Sequence, residues 1–256
     1  MIRAVCVRGV RIGEGSPKVI VPLTDGSPER LKERAGALGE HHADIVEWRV
    51  DFFEGLGDPS RVVATAREIS ALAGGRPLLF TCRTEEEGGE AGIPEEEYVR
   101  LNARIIEAGA ADMVDLEYRF GPDALGGLIG SAHSRGMPVV VSSHDFSGTP
   151  EKDEIVSRLR RMQGLGADVC KVAVMPRSAR DVLVLLDATL TMHERYADRP
   201  LITMAMGRLG LASRFFGGVF GSAATFGTAG AASAPGQPDA EELRRMLRLI
   251  HQGDQP

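Results

Sequence analysis

Ala167-Asp168-Val169-Cys170-Lys171-Val172-Ala173-Val174 is a valine-rich apolar run, preceded by a helical pattern and followed closely by Pro176. Its length and flanks mark a single buried strand. A lysine inside such a strand has two readings. It buries an ammonium, which then needs a carboxylate partner or a route out to solvent. Alternatively, burial favours the neutral amine, which attacks a ketone to form a Schiff base. The preceding apolar run, Val139-Val140-Val141-Ser142-Ser143-His144-Asp145, ends in a histidine. One strand tip thus offers an amine nucleophile and the one before it an acid/base.

Outward from this pair the same pattern repeats. Apolar runs fall at 18–23, 43–50, 77–83, 112–117, 138–144, 167–174, 200–205 and 218–224, each followed by helical spacing, as at 95–108, 151–163 and 179–195. Gly109, Gly136 and Gly166 stand where a left-handed glycine ends a helix just before a strand. Asp58-Pro59 and Thr149-Pro150-Glu151 set a capping side chain before a first-turn proline. Strict strand–helix alternation implies parallel strands joined by helical crossovers. Over the 256 residues this fits one (β/α)8 TIM barrel domain spanning 1–256. An open doubly wound sheet would need a reversal of strand order and usually a glycine-rich phosphate loop. The nearest stretch, Gly207-x-x-Gly210, lacks the lysine and the spacing of one. The first fifteen residues, ending Gly13-Glu14-Gly15-Ser16-Pro17, read as a β-hairpin plugging the N-terminal end of the barrel.

Composition is consistent with a soluble globular protein, 43% apolar and 26% charged, with no apolar stretch long enough to span a bilayer. The alternating start, Met1 to Val7, lacks the apolar core and cleavage site of a signal peptide. Cys6, Cys82 and Cys170 have no metal-like spacing and read as reduced packing residues of a cytoplasmic protein. A net charge of −6 and the lack of a basic patch argue against nucleic acid as a partner.

In such a barrel the active site lies at the C-terminal ends of the strands. The tips there carry Glu47-Trp48-Arg49-Val50-Asp51, Cys82-Arg83-Thr84 with Glu85-Glu86-Glu87, His144, Lys171, and Ser213-Arg214 beyond the seventh run. Glu47 and Arg49 share a strand face, as a buried ion pair or as positioning groups. Arg83 and Arg214 suit two-point binding of a carboxylate. One of the three glutamates turns inward, the others staying solvated. Of the six histidines, His41, His42, His133, His193 and His251 fall on helices or their ends and read as surface residues, leaving His144 as the acid/base. No metal-ligand pattern is present. Met175, Met204 and Met206 read as packing residues that could wall off Lys171. The glycine- and alanine-rich stretch 225–233, leading to Ser233-Ala234-Pro235-Gly236-Gln237, reads as a lid.

These residues carry a resemblance. Glu47-Trp48-Arg49-x-Asp51, Ser143-His144-Asp145-Phe146, Lys171-Val172-Ala173-Val174-Met175-Pro176, Phe220-Gly221-Ser222-Ala223-Ala224-Thr225-Phe226 and Ala232-Ser233-Ala234-Pro235-Gly236-Gln237 occur in order at barrel spacing. On them the chain resembles, over essentially its whole length, the type I 3-dehydroquinate dehydratases, Schiff-base lyases of the shikimate pathway. The resemblance implies that Lys171 forms an imine with the ring ketone, His144 moves the protons, and Glu87 orients His144. It further implies that Glu47, Arg49 and Arg83 line the pocket while Arg214, Ser233 and Gln237 hold the ring carboxylate. It implies no metal or organic cofactor, a small-molecule substrate and a homodimer. Pro22, Ser143 and Cys82 stand where some relatives have serine, asparagine and an aromatic residue. Two rivals share the barrel. A class I aldolase acting on a phosphorylated sugar would bring glycine-rich phosphate loops after the last two strands, and a non-catalytic sensor would tolerate loss of the lysine or histidine.

Overall fold

The structure, a computed structural model, describes residues 2–38, 43–230 and 232–251. The sequence readings of His41 and His42, and Ala231 of the lid, lie outside the described residues. In chain order the elements are β1 (Val5–Val7), β2 (Val10–Ile12), β3 (Lys18–Leu23), α1 (Pro28–Ala37), β4 (Ile45–Arg49), α2 (Pro59–Leu72), β5 (Leu78–Thr81), α3 (Glu95–Ala108), β6 (Met113–Glu117) and α4 (Gly121–Ser134). There follow β7 (Val139–Asp145), α5 (Lys152–Gly164), β8 (Val169–Val174), α6 (Ala179–Arg195), β9 (Leu201–Ala205), α7 (Leu211–Phe216), β10 (Ala224–Phe226) and α8 (Ala240–Ile250).

The lysine-bearing run is β8, buried along its whole length. Strands β3 to β9 lie side by side in chain order, all parallel, and β10 pairs with the free edge of β3. The sheet closes on itself where the Ala223 N–H donates to the Leu201 carbonyl at 2.7 Å. The fold is therefore the (β/α)8 barrel.

The strand period of two sorts the side chains into two cores. Outward residues such as Trp48, Phe80, Leu116 and Val172 pack with Leu31, Ile69, Ile105 and Leu185 of the surrounding helices. Inward residues Ile20, Ile45, Leu79, Met113, Val140, Val169 and Ile202 form an apolar cluster inside the barrel. Two residues further along the same inward face, chemistry changes: Glu47, Thr81, Asp115, Ser142 and Lys171 follow, all buried. The barrel therefore has an apolar floor and a charged upper half.

The hairpin expectation corresponds to antiparallel β1 and β2. Val5, Val7 and Ile12 join the floor cluster, and Arg8 reaches Asp112, just before β6, at 2.7 Å. That places the hairpin at the N-terminal ends of the strands. Between the two inward valines Cys6 points outward and is exposed, so it is not a packing residue.

Two further expectations are corrected. The eighth strand is not 218–224 but β10, sharing only Ala224 with that run. Gly217–Phe220 coils into a 3-10 turn and Gly221 reverses the chain at φ +101°. Thr149 does not cap α5, which starts after Glu151 with no side-chain cap; its hydroxyl donates to the Met175 carbonyl at 3.3 Å. Asp58 does cap α2, accepting from the Ser60 and Arg61 N–H groups. Gly109, Gly136 and Gly166 all have positive φ.

Candidate active site

All nine residues singled out by the sequence line one cavity at the C-terminal mouth of the barrel, with Gly88, Phe146, Met204, Met206 and Phe226 among its walls. Parallel register explains the convergence. Lys171 is paired in register with Ser142 on β7 and Ile202 on β9, and β7 carries His144 two residues further up.

Lys171 is held as an ion pair, the first of the two readings of a strand lysine. Its Nζ lies 3.0 Å from Asp115 Oδ2 and 3.8 Å from Glu47 Oε1, and 4.6 Å above the centre of the Phe226 ring. Met204 and Met206 supply apolar wall of the same cavity.

Asp115 and Glu117 were not among the residues singled out, yet both are fully buried beside them. Asp115 accepts from Arg83 at 2.7 Å and from Ser142 Oγ at 2.6 Å. Burial alone would raise its pKa, but Arg83 and then Lys171 outweigh burial and hold the carboxyl well below its ordinary range. Glu117 accepts from Arg83 at 3.0 Å and from the Thr84 N–H and hydroxyl at 2.8 and 2.7 Å. The signal was present in the sequence: Met113-Val114-Asp115-Leu116-Glu117 sets two acidic residues, two apart, inside an apolar run, the same anomaly that marks Lys171.

These carboxylates change the surroundings of Arg83. Its guanidinium is enclosed by Asp115, Glu117, Ser142 and, at 3.4 Å, Glu87. Arg49 is likewise clasped two-point by Asp51 at 2.8 and 2.6 Å, and it also donates to the Ser233 carbonyl at 3.1 Å.

Glu87 is the glutamate that turns inward. Its Oε2 lies 2.8 Å from His144 Nδ1 and also accepts from the His144 backbone N–H at 3.1 Å. An oxygen already accepting from that N–H and from Arg83 is an acceptor toward the ring as well, so Nδ1 carries the proton and Nε2 keeps a free lone pair. Burial, reinforced by Arg83 and Lys171, holds the His144 pKa well below its ordinary value. Burial pushes Glu87 up to about 8; Arg83 opposes this, while Glu117 and Asp115 add to it.

Arg214, on α7, is different. It is 1% exposed, its Nη2 donates to the Pro235 carbonyl at 3.3 Å, and its Nε has no partner. It forms no ion pair with any described carboxylate, and burial brings it down to about 10. A buried cation without a counter-ion is costly, so the site is built to receive an anion.

Pro235 belongs to the loop expected as a lid, of which Thr225 and Phe226 prove to be strand. The loop is seated across the mouth. Gly207 N–H donates to the Pro235 carbonyl at 3.0 Å. Ser233 and Gln237 are joined by two hydrogen bonds of 2.9 Å. Among the described residues no cluster of three or more histidine, cysteine or acidic side chains could hold a metal.

Comparison with known proteins identifies the family. The family model described as type I 3-dehydroquinase matches residues 19–254. A 3-dehydroquinate dehydratase of Bacillus licheniformis is 48% identical over 98% of this chain and 99% of its own length. One of Salmonella agona is 47% identical over 98% and 100%. The solved type I 3-dehydroquinate dehydratase of Clostridium difficile, described with covalently modified comenic acid, superposes with a TM-score of 0.95 at 45% identity, covering 98% of this chain and 99% of that one.

Proposed function

The chain belongs to the type I 3-dehydroquinase family, and on that premise we propose that it dehydrates 3-dehydroquinate to 3-dehydroshikimate through an imine on Lys171. The observation that carries this is one cavity holding a buried lysine, a Glu87-oriented histidine and the counter-ion-free Arg214.

The steps follow from those groups. The ring carboxylate meets Arg214 as the anion the site lacks, with Ser233 and Gln237 closing over it. The Lys171 ammonium gives a proton to His144 and the amine adds to the ring ketone; His144 returns that proton to the hydroxyl so formed, which leaves as water, and a protonated imine joins Nζ to the ring carbon. His144, with its Nε2 lone pair free, removes a proton from the adjacent carbon, and the electron pair flows into the iminium to give an enamine. The enamine pair returns and expels the hydroxyl one carbon further on, which takes the proton back from His144 and leaves as water, in the syn sense. A water then hydrolyses the conjugated protonated imine, releasing the enone and returning Lys171 as its ammonium. Lysine supplies the electron sink, so no cofactor enters. Glu47, Arg49 and Arg83 shape the pocket around the ring. The family reading extends to a cytoplasmic homodimer serving the shikimate pathway, and the exposed Leu209, Phe216 and Val219 around α7 offer apolar surface for a second copy.

The test is to add 3-dehydroquinate and follow the ultraviolet absorbance of a conjugated enone. Absorbance that rises with the wild-type protein and not with Lys171→Ala supports the reading. No rise with wild type sinks it.

A further inference from the structure

We propose that Asp115 is the counter-ion of the Lys171 nitrogen wherever that nitrogen is charged, keeping the imine protonated and fixing its plane; this rests on the imine reading above. The geometry singles out one oxygen. Asp115 Oδ1 is occupied by Arg83 and Ser142, at 2.7 and 2.6 Å, while Oδ2 lies 3.0 Å from Nζ. Glu47 is further away, at 3.8 Å, and its near oxygen already accepts from Thr81 at 3.0 Å. Phe226 offers only its ring.

The chemistry then needs that oxygen. An ammonium has three N–H groups; a protonated imine has one. A single N–H is satisfied by a single acceptor, and Asp115 Oδ2 is the carboxylate oxygen already within hydrogen-bond distance. Holding that N–H fixes the plane of the C=N bond, and with it the face of the neighbouring carbon turned toward His144. It also keeps the nitrogen charged, and only the charged iminium takes up the electron pair released when His144 removes the carbon-bound proton. Asp115 itself is kept ionised by Arg83. The groups facing the pair are Glu47 from β4, Arg83 and Glu87 from the segment after β5, Glu117 from β6 and His144 from β7. Of the carboxylates paired with Nζ, Asp115 at 3.0 Å lies nearer than Glu47 at 3.8 Å.

Borohydride, which reduces the protonated imine, reads this directly. In the presence of 3-dehydroquinate, Asp115→Asn that melts as a folded protein traps substrate at alkaline pH about ten- to a thousandfold more slowly than wild type, the span that loss of one adjacent opposite charge represents. The alkaline limb of its kcat profile moves to lower pH, with KM changed less than kcat. Asp115→Glu restores part of the shift. Glu47→Gln leaves the limb where it is, whatever it does to the rate. A merely structural role would lower the rate without moving the limb. An unmoved limb in folded Asp115→Asn, or an equal movement in Glu47→Gln, overturns the proposal while wild-type trapping keeps the imine reading intact. No trapping in wild type overturns both. Should Asp115→Asn not fold, wild type labelled with 15N-lysine decides: the substrate imine nitrogen is expected to keep its bonded proton above neutral pH, and losing it there overturns the proposal.

Discussion

At the scale of single residues, Arg214 and Lys171 are both buried cations, but only Lys171 has carboxylates beside it. That difference makes a prediction with two opposite signs. Arg214→Met removes an uncompensated charge, so thermal unfolding should show unchanged or higher stability. The same change should raise KM for 3-dehydroquinate at least about tenfold, the loss expected for a charged hydrogen bond to the ring carboxylate. Glu87 gives a pH prediction. Its pKa is raised from 4.5 in the ordinary carboxyl to about 8 in the fold. Between those values the native state binds the extra proton, so this group's contribution to stability is full below 4.5 and is lost as pH rises through about 8. Denaturant titrations at several pH values should show a shallower alkaline loss in Glu87→Gln than in wild type. The residues legible beforehand were those at strand tips with a familiar chemical role. Asp115 and Glu117 were legible only as acidic residues within an apolar run, because their partner Arg83 comes from the segment after β5 and only the folded barrel brings them together.

At the scale of elements, the helices with strong punctuation were read to the residue, as α3 and α6 show. The last strand was misread because Gly218 to Gly221 belong to a turn whose glycines carry no periodicity, and because only three residues of β10 are needed to close the sheet. The loop after β10 was legible as a loop from composition, but what seats it beside the cavity was not. Gly236 sits at φ +75°, and a Cβ there would overlap the Gly207 carbonyl oxygen. Gly236→Ala should therefore unseat the loop, raising KM by about five- to thirtyfold, the equivalent of a left-handed penalty, while leaving the unfolding midpoint nearly unchanged. A melt that falls as steeply as affinity would show the loop to be part of the core instead.

At the scale of the whole molecule, the barrel is polarised along its axis, apolar at the floor and charged at the mouth. The period-two pattern of each strand made the barrel legible. The polarity emerges only when the eight strands are set in register. Stability and chemistry are thereby separated in space. Ile12→Ala, at the hairpin that covers the floor and 1% exposed, should cost about 2–5 kcal/mol in denaturant unfolding, with KM and kcat close to wild type for the folded fraction. The account as a whole turns on Lys171 becoming covalently bound to substrate. The measurement is borohydride reduction with 3-dehydroquinate followed by mass mapping of the digested protein. The account predicts reduced ligand on the peptide containing Lys171 and none on Lys171→Ala. Turnover with no adduct, or an adduct on another lysine, would contradict it.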